Sequence, residues 1–365
     1  MTIGNACPTA TAPARAPALP RPRGPLSRAI VDRVSGGPSV SRPTLCPGPW
    51  ALRDDDLHLA LWVCYELHHH GFDGVADEFE WDPDVLAFRR GLEDAFEAAL
   101  RDEVAGERFP ADPVQALEAI TRRSGPPLSA VVEAEPSLEH MREFVIHRSA
   151  YQLKEADGHS FAIPRLRGRG RSAMIEIQMD EYGGGVPNAA HAEIFAAAMR
   201  ELGLDDRLGA YVDLLPGTTL ATDNLVELFA LHRRLRGALV GHLALFEMTS
   251  VVPMTRYLRA ARSLGVSASL QHFYAVHVEA DVHHGDIALS GMVAGVVADE
   301  PDLAGEIVFG AAALSAVEAR FAAALLRNWR AGRSSLLTHR ASANTEPRSD
   351  TQPHAHRREL PDPVG

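Results

Sequence analysis

From Asp54 to Gly332 the apolar residues recur at every third or fourth position, a period that only helices use. DDDLHLALWVCYELHHHG, with its acidic start, suits a helix N-terminus and stops at Gly71. DVLAFRRGLEDAFEAALRDEV, SLEHMREFVIHRSAYQLKEA and RSAMIEIQMDEYG have the same spacing. So do NAAHAEIFAAAMRELG, DNLVELFALHRRLRGALVGHLALFEMTS, SASLQHFYAVHVEADVHHGDIAL and AGEIVFGAAALSAVEARFAAALLRNWRAG. Alternating strand-like runs bounded by turn pairs are almost absent. The expected fold class is all-α, a helical bundle over residues 48–335. Repeated Pro, Ala and Arg predict a disordered arm over 1–47, and a polar stretch with Pro predicts a disordered tail over 336–365.

At 46% hydrophobic and 23% charged, the 365 residues can build one large core. The net charge is -12 and no basic stripe with interleaved aromatics is present, so no nucleic-acid partner is expected. Cys7, Cys46 and Cys64 lack CxxC spacing, which excludes a thiolate metal site and a disulfide framework. No run approaches the roughly 18 apolar residues that span a bilayer, and the N-terminus has no apolar signal core. These readings predict a cytoplasmic protein without a membrane partner.

The polar residues that fall on apolar lines point to chemistry. In HVEADVHHGD, His277, Asp281 and His284 continue the line of Leu270, Phe273 and Tyr274 and lead on to Ile287, while His283 and Asp286 turn outward. A charged group on a buried stripe is costly unless it is paired or bound to metal. Glu247 falls one turn beyond Leu243 on the buried side of its helix. Glu181 ends a helix before Gly183–Gly185, and His191 is expected one turn into the next, a break that lets two side chains converge. Carboxylates and imidazoles from separate helices suit a di-iron or di-manganese site, and the mixed donors favour iron over calcium or magnesium. The Glu-x-x-His pairs of ferritin-like bundles are missing. Other polar residues read as ordinary. The run His68, His69, His70 should end a helix in solvent, His232 and His242 should be surface or satisfied core groups, and Lys154 should be an exposed helix-end lysine.

The order Glu181-x9-His191, Glu247, then His277-x3-Asp281-x2-His284 resembles the haem-oxygenase-like di-iron oxidase and oxygenase superfamily, over about residues 50–330. The resemblance implies a haem-oxygenase-type helical fold with two iron ions, O2 as co-substrate and no haem. It also implies a further carboxylate ligand from an earlier helix, at Glu155, as in the N-oxygenating branch. Members oxidise amines, amino acids or carboxylic acids, and the fold does not choose among them. A small-molecule substrate, an external electron donor and a homodimer are compatible expectations. Phe195, Phe229, Phe246 and Phe273 are the expected pocket lining. Two other readings compete with an oxygenase. One is a non-catalytic iron-binding or partner-docking bundle. The other is a metal-free haem-oxygenase-like enzyme, which has no need of the His277–Asp281–His284 line.

Overall fold

The computed structural model describes residues 16–123 and 125–338, and among these there is no strand. The helices run α1 (Pro25–Val34), α2 (Asp55–Glu66), α3 (Pro83–Val104), α4 (Pro113–Thr121), α5 (Leu128–Ala134), α6 (Leu138–Gln152) and α7 (Asp157–Ser160). They continue with α8 (Gly168–Glu181), α9 (His191–Glu201), α10 (Gly217–Leu231), α11 (Arg236–Thr249), α12 (Val251–Leu264) and α13 (Ala268–Asp286). A π-helical stretch, Ile287–Val293, joins α13 to α14 (Ala294–Asp299), and α15 (Ala304–Arg330) closes the bundle.

Local chemistry starts several of these helices. Asp54 caps α2 by accepting from the amides of Asp56 and Leu57, and Asp82 does the same for α3, where Pro83 follows at the first position. α15 is long and apolar enough by composition to cross a membrane, contrary to the sequence expectation, but it is mostly buried as a core helix against α11 and α10. Gly241 and Gly310 permit this crossing: a Cβ on either would lie 1.8–1.9 Å from a backbone carbonyl oxygen of the other helix.

Two apolar clusters form the interior. One gathers α2, α3, α8, α10, α11 and α15, and the other gathers α6, α9, α12 and α13 around Phe195, Phe273 and Phe321. Buried histidines are part of this framework. His58 Nε2 donates to the Ala51 carbonyl at 2.9 Å, and His147 lies between Thr219 and Ser335 at 2.8 and 2.9 Å. Burial lowers both imidazoles to about 3. The unfolded chain therefore takes up two extra protons below pH 6.5, and stability present above that pH is lost as pH falls towards 3. Denaturant titration at pH 7 and pH 5 should show a loss on the order of 4 kcal/mol from this pair, with about half of that slope surviving in His147→Asn. An unchanged slope in that variant would contradict burial of a neutral His147.

Three expectations are corrected here. Of the arm over 1–47, residues 1–15 lie outside the described residues, but the rest is folded onto the bundle. Ile30 and Val34, spaced i, i+4 on α1, are buried, and Asp56 accepts from the amides of Leu26 and Ser27 at 2.8 Å each. Pro25 opens that helix, so the proline that suggested disorder is placed where it favours a helix. Of the tail over 336–365, residues 339–365 lie outside the described residues. Before them, Leu336 packs on the core and the Leu337 amide donates to the Leu214 carbonyl at 2.8 Å. The run from Asp223 to Ser250 is two helices, because His232 turns extended (φ -111°, ψ 108°) and pairs with buried Glu93 at 2.9 Å. That long-range pair holds a corner that the local pattern does not show.

Candidate metal centre

All seven residues singled out as ligands converge, on two adjoining groups. Glu155, Glu181, His191 and His277 each offer an atom within 4.8 Å of the others, and so do Glu181, Glu247, Asp281 and His284. Glu181 belongs to both.

Most of these residues stand at helix ends. Glu155 lies in the turn after α6, Glu181 is the last residue of α8, and His191 is the first residue of α9 rather than one turn inside it. Gly183–Gly185 between them all have positive φ, and a Cβ on Gly183 would meet the Ala189 backbone at 2.4 Å. Only glycine lets the chain fold back that tightly. Glu247 lies near the end of α11, just before a 49° bend into α12. α13 alone supplies ligands from a regular helix, and its buried line runs through His277, Asp281 and His284 to Ala288 instead of Ile287. The π-helical stretch begins at Ile287 and rotates the line. His283 and Asp286 are exposed.

Neighbouring groups orient the donors. His277 Nδ1 donates to the Phe273 carbonyl at 2.7 Å, which leaves Nε2 bare and facing Glu155 at 3.5 Å. His284 Nε2 donates to Asp180 at 3.0 Å, so Nδ1 faces Glu247 at 3.3 Å and Asp281 at 3.6 Å. The Ser250 hydroxyl donates to Asp281, and Gln152, in the amide orientation that satisfies it, donates to both Glu155 oxygens at 2.9 and 2.7 Å. Partners of this kind hold metal ligands in place. Asp180 neighbours a ligand in sequence, but Ser250 and Gln152 are legible only as the i+3 and i-3 neighbours of Glu247 and Glu155.

The donor atoms fit a cation. Glu181 Oε2, His191 Nδ1, His277 Nε2 and His284 Nδ1 are buried without a hydrogen-bond partner. His191 Nδ1 and Glu181 Oε2 are 2.8 Å apart yet out of hydrogen-bond alignment. Lone pairs aimed at a common point, and not at each other, have this geometry. Without a cation, protons must offset four carboxylates. Burial pushes Glu247 up to about 8, with Glu181 and Asp281 adding to the rise. Burial lowers His277 and His284, but Glu155 acts on the first and Asp281 with Glu247 on the second, and they end at about 10 and about 11. Divalent ions would take the place of those protons.

A cavity of about 660 Å³ adjoins the cluster, and Phe246, Ser250 and Met254 line both it and a small gap of about 30 Å³ against the ligands. Of the expected lining, Phe195, Phe246 and Phe273 face the cavity. Phe229 does not. It is fully buried and packs edge-on against Phe309 of α15.

The expectations for Lys154 and the His68–His70 run change, whereas His242 is in the core as one of its two readings had it. Lys154 is not exposed: its ammonium is buried among Glu227, Asp223 and Glu66 at 2.9, 3.2 and 3.5 Å. His68 and His69 are nearly buried and His70 half-exposed, with His69 on Glu227 at 2.7 Å and His70 on Glu66 at 2.9 Å. His242 is a buried core residue paired with His159 at 3.0 Å.

A helical bundle with a buried carboxylate–histidine cluster has the donor set of a metal-binding protein. Residues 142–319, a stretch that holds all seven cluster residues, match the family model described as iron-containing redox enzyme. Two crystal structures of a CADD-like protein of unknown function from Nostoc punctiforme are similar, each at 14% identity. Their TM-scores are 0.44 and 0.43, covering 64% and 66% of this chain and 97% and 96% of theirs. A comparison with curated proteins finds no match.

Proposed function

We propose that this chain is a non-haem di-iron oxidoreductase that uses O2 to oxidise a small metabolite. The observation that supports it most is the pair of four-donor groups sharing Glu181, inside the stretch that matches the iron-containing family. Glu155, His191 and His277 would hold one ion, and Glu247, Asp281 and His284 the other, with Glu181 between them. When bound, two iron ions supply the capacity to take up and reduce O2.

The protein contributes orientation and dryness. The Phe273 carbonyl and Asp180 fix the tautomers of His277 and His284, so that each presents a bare nitrogen to the cluster. Ser250 and Gln152 hold one carboxylate each. Tyr151, stacked on Phe246 at 5.4 Å, and Leu243 and Met254 wall the gap of about 30 Å³. That gap admits one or two water-sized molecules and little more.

Anaerobic loading with Fe(II) followed by dialysis should leave two irons per chain, and admitting O2 should then consume it. Fewer than one iron per chain would refute the centre. Two irons without O2 consumption would leave an iron-binding bundle.

A further inference from the structure

We propose that the 660 Å³ cavity binds a zwitterion with an apolar body, its charged head on the Arg148–Glu318 pair and its apolar end towards the carboxylate–histidine cluster. Among the described residues, every charged side chain lining this cavity is paired with another. Arg148 meets Glu318 through two parallel bonds at 2.8 and 2.7 Å, Arg123 meets Glu107 at 2.6 Å, and Arg320 meets Glu103 at 2.5 Å. Three arginines and three glutamates leave the wall without net charge.

The Arg148–Glu318 pair is the most buried of the three, at 15% and 25% side-chain exposure, and the guanidinium lies 4.4 Å from the Phe321 ring centre. Two of its five N–H groups serve Glu318, so others remain to donate. A lone carboxylate entering here would meet an arginine already neutralised and a glutamate that repels it. A lone ammonium meets the mirror problem. A head with both charged groups on one carbon can lie across the pair, so that each of four charges keeps an opposite neighbour and none is buried unpaired.

The direction of the body follows from α6. Gln152 lies one turn after Arg148, about 6 Å along the helix, and its amide bonds Glu155 of the cluster. The cavity wall includes Phe195, Phe246 and Phe273, and the Phe273 ring centre lies 4.4 Å from that of His277 in the cluster. The oxidised position would then be remote from the charged head. Only this last step rests on the di-iron reading, since recognition of the head does not need metal.

The test titrates full-length protein, metal-free and iron-loaded, with 2-aminooctanoate, octanoate and octylamine by calorimetry. The zwitterion should bind about tenfold more tightly than either other probe in both forms. Arg148→Met/Glu318→Met, which removes both charges and leaves none unpaired, should erase that preference with helical circular dichroism unchanged. If the double variant does not fold, Glu318→Gln should raise octanoate affinity relative to the zwitterion. In the iron-loaded protein the probe's terminal methyl proton signal should broaden more than its α-proton signal. Equal affinities, a preference that survives the double variant, or stronger broadening at the α-proton would overturn the proposal. Failure to load iron would refute the metal centre alone, because the metal-free titration still decides the head group.

Discussion

Glu181→Ala should empty the whole metal centre, whereas Glu155→Ala should cost one ion. Glu181 is common to both four-donor groups, and its two oxygens lie near His191 at 2.8 Å and His284 at 3.9 Å. Loss of an outer hydrogen-bond partner alone weakens metal binding by about 10- to 100-fold. Removal of a shared ligand should therefore weaken both positions by at least ~100-fold, while Asp180→Ala, which only frees His284, should fall in the smaller range. Folding should survive, because removing one of four clustered carboxylates relieves repulsion and Glu181 is the final residue of α8. Anaerobic Fe(II) titration read by metal analysis checks this, with circular dichroism as the folding control. Retention of a single tightly bound iron in Glu181→Ala would mean that the two groups do not share this carboxylate.

The second large effect belongs to the only lysine in the chain. Lys154→Met should destabilise the protein by about 3–5 kcal/mol, the usual cost of removing one partner from a buried ionic group. That corresponds to a Tm lower by on the order of 10 °C. The ammonium faces three carboxylates with essentially no exposed surface. Burial raises Asp223 to about 7, whereas Lys154 and His69 outweigh burial at Glu227 and bring it down to about 2. Without Lys154, Glu227 keeps only His69, and Glu66 only His70. Lys154 also precedes Glu155, so the turn that presents this ligand should loosen. Thermal unfolding of the metal-free protein checks the stability term by itself. A Tm within about 2 °C of the parent would show that protons replace the ammonium at little cost.

Much of the cluster was legible before any fold was known, and the reason is local. On α13 a 3.6-residue period puts His277, Asp281 and His284 on one line whatever packs against it. Likewise the Gly183–Gly185 break follows from backbone freedom and brings Glu181 and His191 close with no help from distant residues. Lys154 shows the opposite case. Its neighbours in sequence suit an exposed helix end, and its three partners lie on α2 and α10, 69 to 88 positions away. His69 was misplaced for the same cause, since Glu227 and Phe161, which cover it, are remote in the chain, whereas His68 is covered by Glu80, Trp81 and Arg89 from the segment that follows. Pro25–Val34 was read as an arm because composition averages over a window, whereas burial of Ile30 and Val34 depends on α2.

The sequence by itself determined the all-helical class, the capped starts of α2 and α3, the inward line on α13 and the tight glycine turn. Each is set by contacts between residues a few positions apart. Tertiary structure alone decided the corner at His232, the burial of Lys154, the bend after Glu247, and the gathering of six side chains around the shared Glu181. Those features depend on contacts between elements far apart in the chain, and no local periodicity records them.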